Sequence, residues 1–65
     1  MSNWIWINNV LVNLNNITKV THSDNCIMLY EGNQIVERFA CKDDVELEEE
    51  LGRINDIVRG RVKMY

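Results

Sequence analysis

The apolar pattern of this 65-residue chain changes period once, at Asp43. Beyond that point Leu47, Leu51, Ile54 and Val58 recur at i, i+4, i+7 and i+11, one stripe of an amphipathic helix. Before it, β-branched and aromatic residues come in short runs separated by turn-forming pairs, the signature of strands. A chain whose first two thirds read as strand and whose last third reads as helix is restricted to sheet-plus-helix architectures. The expected fold is α+β: a four- to five-stranded antiparallel β-meander packed on one C-terminal α-helix. It forms a single domain over 1–65, with strands over about 4–41 and the helix over about 44–60.

Trp4-Ile5-Trp6-Ile7 opens the first strand and Asn8-Asn9 turns it, because asparagine tolerates positive φ. Val10 to Leu14 returns, Asn15-Asn16 interrupts, and Ile17 to Thr21 resumes. Ser23-Asp24-Asn25 is the next turn, followed by a strand from Cys26 to Glu31. Gly32-Asn33 suits a type II′ hairpin and leads into a strand from Gln34 to Cys41. Asp43 or Asp44 is a natural N-cap, and Asp43 with Glu46 has capping-box spacing. Acids crowd the first turns of the helix and bases its end, in keeping with the helix dipole. Gly60 is placed to end the helix as a C′ residue. Gly52 lies inside it at a cost of roughly 1 kcal/mol relative to alanine, which points to a close approach between helix and sheet.

With a two-residue loop, Tyr30 faces Ile35, Met28 faces Glu37 and Cys26 faces Phe39, all on one side. Ile27 and Leu29 then share the other side with Val36, Arg38 and Ala40. Ile5 and Ile7 point one way, Trp4 and Trp6 the other. Both faces of the sheet are thereby substantially apolar. A three-residue loop would shift the register by one and change which residues share a face, but neither register leaves one face cleanly polar, whereas a single helix stripe covers one. Either a second copy buries the remaining aromatic face, or the sheet curls and packs both tryptophans into its own core. Trp4, Trp6, Met28 and Tyr30 are the candidate partner-binding residues, of types enriched at interface cores.

A 65-residue chain buries only roughly 60% of its unfolded surface, so its stability is marginal and a partner subunit helps. The net charge of −3 speaks against a nucleic-acid backbone as principal partner. Six of the ten acids fall between Asp43 and Glu50, a run read as a solvated helix start. Arg59, Arg61 and Lys63, with Tyr65, form a basic end that is a candidate anion-binding cluster; a helix-end cluster favoured by the dipole is the plainer reading. The start of the chain carries no basic, then apolar, leader pattern and no run reaches the roughly 20 apolar residues of a membrane span, so the expected location is cytoplasmic.

Little here suggests catalysis. His22 is the one histidine, beside a turn, and a general base needs an orienting partner in reach. Cys26 and Cys41 lack CxxC spacing or a histidine pair, and read as small apolar strand residues with free thiols. No Asp-x-Asp-x-Asp-Gly loop and no glycine-rich phosphate loop occurs. The expectation is no catalytic residue, no metal and no cofactor.

Trp6-Ile7-Asn8 followed by Leu11-Val12-Asn13-Leu14-Asn15-Asn16-Ile17 resembles the opening of many small uncharacterised bacterial and phage proteins. Those run as a β-meander followed by a C-terminal amphipathic helix. They often carry glycine after the first strand's asparagine, where Asn9 stands here. The order of sheet then helix is also similar to the second half of a pleckstrin-homology-like domain. No binding residue carries over from either resemblance. The functional expectation is a small non-catalytic protein-interaction module, a homodimer, of the adaptor or inhibitor kind that phages and mobile elements encode. The alternative is a nucleotide or single-stranded nucleic-acid binder, with sheet aromatics stacking bases while Arg38, Arg59, Arg61 and Lys63 track the backbone.

Overall fold

The structure, a computed structural model, describes residues 3–64. It is α+β, with one helix and six strands in two sheets. Strands β1 (Trp4–Ile7) and β2 (Val10–Asn13) form a two-stranded hairpin of their own. Strands β3 (Lys19–Ser23), β4 (Cys26–Glu31) and β5 (Gln34–Ala40) form an antiparallel meander. Helix α1 (Asp44–Val58) follows, and the short β6 (Lys63–Met64) returns to pair parallel with β3. The order across the larger sheet is β5-β4-β3-β6.

The turns follow from their residues. Asn8 and Asn9 both take positive φ (49° and 65°), as do Asp24 and Asn25 (52° and 60°). Two successive left-handed residues make the hairpin turns whose twist matches that of the strands. At the third turn Gly32 alone has positive φ, 64°, as the expected type II′ geometry requires.

One continuous meander was expected, and the chain instead divides between β2 and β3. The Asn13 side chain accepts a hydrogen bond from the Asn15 N–H (2.9 Å), which bends the backbone out of extension and ends β2 at Asn13. Leu14 and Ile17 bury their side chains, so this segment is a packed connection and β3 begins only at Lys19. The Arg61 guanidinium closes it from the far end of the chain. It donates to the carbonyls of Leu14 (2.8 Å), Ile17 (3.3 Å) and Asn15 (3.4 Å).

The second departure is a β-bulge in β5. Tyr30 lies opposite Ile35 as expected, but Leu29 lies opposite Glu37, so Val36 is the extra residue. Every pairing beyond it is offset by one from the expected register. Met28 opposes Arg38, Ile27 opposes Phe39 and Cys26 opposes Ala40. Phe39 therefore turns inward beside Ile27 and is buried, while Arg38 turns outward and is exposed. The larger sheet consequently has one apolar face and one mixed face rather than two apolar ones.

The inner faces of both sheets and one stripe of α1 enclose the core. Ile5, Ile7 and Val12 come from the hairpin, Val20, Ile27, Leu29 and Phe39 from the larger sheet, and Leu47, Ile54 and Val58 from the helix. Among the described residues no polar or charged residue is buried. Asp43 caps the helix, its carboxylate accepting from the Glu46 N–H at 2.9 Å. The helix ends at Val58, two residues earlier than expected, because Arg59 already adopts left-handed geometry (φ 51°) as the C-cap. Its last turn accordingly carries no base. Gly60 follows with φ 80° at the expected C′ position. Gly52 makes no close approach to the sheet: a Cβ there meets nothing within 4 Å. The tether between helix and hairpin is instead Arg53, which pairs with Glu50 and donates to the Trp6 carbonyl at 2.8 Å.

Candidate protein-docking surface

Trp4 and Trp6 project from the outer face of β1, because Ile5 and Ile7 alternate with them into the core. They are 51% and 60% exposed. Across the hairpin Trp4 lies opposite Asn13 and Trp6 opposite Leu11, itself 45% exposed. Leu11 and Val36, the latter in the bulge, line one depression between the hairpin and β5 together with Asn13, Asn16, Glu31 and Glu37. Trp6 also borders a depression of about 510 Å³ lined by Glu46, Glu49 and Glu50 on the helix and by Arg53. This patch is thus aromatic at its centre and acidic along its helix side.

Met28 and Tyr30 belong elsewhere. Both are half-buried on the outer face of β4, in the larger sheet, so the four candidate partner-binding residues are divided between two sheets. The Lys19 ammonium sits 4.2 Å from the centroid of the Tyr30 ring, a cation–π contact across β3 and β4. Arg38 lies opposite Met28, and Lys63 on β6 lies beside Lys19 on β3. The outward positions of the four strands carry Lys19, Arg38 and Lys63 and no acid. This face is basic in a chain of net charge −3.

The candidate anion cluster does not come together. Arg61 is committed to the carbonyls of the β2–β3 connection, and Arg59 is exposed with its Nε donating to the Asp56 carbonyl at 3.2 Å. Lys63 alone joins another cation, Lys19 beside it on β3, while Arg38 lies on the same face at the opposite edge strand; Tyr65 lies outside the described residues. Sequence reasoning missed Lys19, because only the parallel pairing of β6 with β3 brings it beside Lys63. Leu11 was also missed, although its alternation with the buried Val12 carries that signal.

His22 borders a shallow depression of about 410 Å³ with Leu51, Gly52, Asn55 and Met64, a setting without a nucleophile. Among the described residues no three His, Cys, Asp or Glu side chains converge to hold a metal ion. Cys26 and Cys41 are free thiols. Cys26 opposes the exposed Ala40 at the end of β5, and Cys41, the next residue of the chain, is buried. Burial first, and then the nearby Glu46 and Glu50 carboxylates, push the Cys41 thiol pKa up. No helix of the described residues is long and apolar enough to cross a membrane.

No protein-family model, curated protein or solved structure matches this chain.

Proposed function

We propose that this chain is a non-catalytic protein-interaction module that docks through the outer face of the β1–β2 hairpin, and that it associates with further copies of itself. The observation that carries this reading is the pair of adjacent tryptophans, each more than half exposed on one side of a two-stranded sheet. Tryptophan in a contiguous apolar patch is the residue type that most often dominates binding energy. Trp4, Trp6 and Leu11 together expose on the order of 350–400 Å², below the roughly 800 Å² per partner of a standard interface. A patch of this size suits reversible contact, which fits an adaptor or inhibitor.

Base stacking on the tryptophans is the weaker reading, because Glu46, Glu49 and Glu50 stand beside Trp6 and repel phosphate. Sedimentation equilibrium tests the proposal. The wild-type chain is expected to associate with a Kd on the order of 10–100 µM, and Trp6→Ala to remain monomeric with an unchanged far-UV circular dichroism spectrum. A wild-type monomer at high micromolar concentration refutes self-association.

A further inference from the structure

We infer that the surface meeting this patch on the second copy is the outer face of the four-stranded sheet, so that copies join head to tail. This rests on the self-association proposed above. A two-fold contact of the hairpin patch with itself places the acidic flank formed by Glu46, Glu49 and Glu50 of each copy in one interface. A two-fold contact of the sheet face with itself gathers the cations of both copies. Only the mixed contact sets an acid-flanked aromatic patch against a basic face, and charge complementarity of this kind selects partner and orientation.

The sheet face is suited to that role. Tyr30, Met28 and the 41%-exposed Ile35 supply apolar contact at its centre. Lys19 and Lys63 occupy directly neighbouring positions on β3 and β6, an unfavourable like-charge pairing that an incoming acid relieves. Arg38 and Lys63, both exposed, are free to lie against tryptophan rings as cation–π partners. A contact between two different patches does not close with two copies; it leads to rings or to chains.

The test uses two charge-reversed chains, Arg38→Glu with Lys63→Glu on the sheet face and Glu46→Lys with Glu49→Lys on the patch flank, each checked for folding by circular dichroism. Wild-type mass in sedimentation equilibrium is expected to pass beyond dimer as concentration rises. It should fall at about 0.5 M salt, where the screening length is about 4 Å. Each variant alone is expected to associate at least tenfold more weakly. That includes Glu46→Lys with Glu49→Lys, whose net charge is nearer neutrality, so general repulsion does not account for the loss. An equimolar mixture of the two should recover association, because each chain retains one wild-type surface and the two reversed surfaces are complementary to one another in turn. If the flank variant fails to fold, Glu49→Lys alone replaces it, since Glu49 is exposed. A discrete wild-type dimer untouched by Arg38→Glu with Lys63→Glu overturns the head-to-tail arrangement and leaves docking through the hairpin standing. A wild-type chain that stays monomeric overturns both. A monomer whose Met28 and Tyr30 resonances shift on adding polyglutamate assigns the sheet face to a foreign acidic partner and likewise overturns the arrangement.

Discussion

Replacing Arg61 with alanine is expected to cost this chain a large share of its stability, although Arg61 is a surface residue near the C-terminal end. Its guanidinium donates to three carbonyls of one connection, with the Leu14 contact at 2.8 Å well formed and those to Ile17 and Asn15 at 3.3 and 3.4 Å weaker. A hydrogen bond from a charged donor contributes about 1.5–3 kcal/mol, and losing it strands its acceptor. Because water reaches the vacated side of the loop, the expected total is about 2 kcal/mol rather than the sum of three full bonds. A 65-residue domain has in all only about 3–10 kcal/mol. With a urea m-value of about 1 kcal/mol/M for a chain this small, the midpoint should fall by about 2 M at unchanged m. Far-UV circular dichroism is the appropriate probe, since Trp4 and Trp6 are already more than half exposed when folded and their emission reports unfolding poorly. Arg61→Lys should recover less than half of the loss, because one ammonium does not span three acceptors as a planar guanidinium does. A midpoint for Arg61→Ala within about 0.3 M of wild type would show that the loop is held by the burial of Leu14 and Ile17 alone, and would refute the clamp.

Gly52→Ala is expected to stabilise the chain by about 1 kcal/mol, raising the thermal midpoint by roughly 4–8 °C, because the site is helical and open; a lowered midpoint would restore the close helix–sheet approach. Phe39→Ala should cost about 3–5 kcal/mol and Met28→Ala distinctly less, since the bulge turns Phe39 inward while Met28 stays on the outer face; a reversed order, read by urea titration, would contradict the register. In single-thiol variants Cys41 should react with a disulfide reagent about tenfold or more slower than Cys26, and equal rates would deny its burial. Because the folded Cys41 pKa lies above its unfolded value, its contribution to stability is complete below the ordinary thiol range and is lost as pH rises through the raised value, which an alkaline unfolding series should register.

Local chemistry announced itself in the sequence wherever it acted alone. The Leu47-Leu51-Ile54-Val58 stripe, the Asp43 cap and the turns at Asn8-Asn9, Asp24-Asn25 and Gly32-Asn33 all depend on residues within one helix or one hairpin. The outward placement of Trp4 and Trp6 followed from alternation with Ile5 and Ile7. What stayed hidden depends on distant partners. Nothing about Val36 marks a bulge, because a valine fits regular strand and bulge alike; the offset exists because Phe39 is worth more beside Ile27 than on the solvent side. The separation of the hairpin from the larger sheet needs Arg61, dozens of residues away, to hold the connection. The Lys19–Lys63 neighbourhood needs a two-residue parallel strand that no local propensity announces.

The bulge also decides where the apolar excess of the chain appears. In the regular register Phe39 would lie beside Cys26 on the outer sheet face, and Arg38 would compete with Ile27 and Leu29 for the core. Burying an unpaired guanidinium is far more costly than distorting one strand, so the extra residue is absorbed and the two side chains exchange faces. The outer sheet face thereby loses an aromatic ring and gains a cation. What remains conspicuously apolar is the hairpin, whose tryptophans stay outside because the isoleucines alternating with them point into the core. The same exchange that completes the core thus makes one surface basic and leaves another aromatic beside the acidic helix. Two such surfaces on one small chain suit each other better than either suits itself.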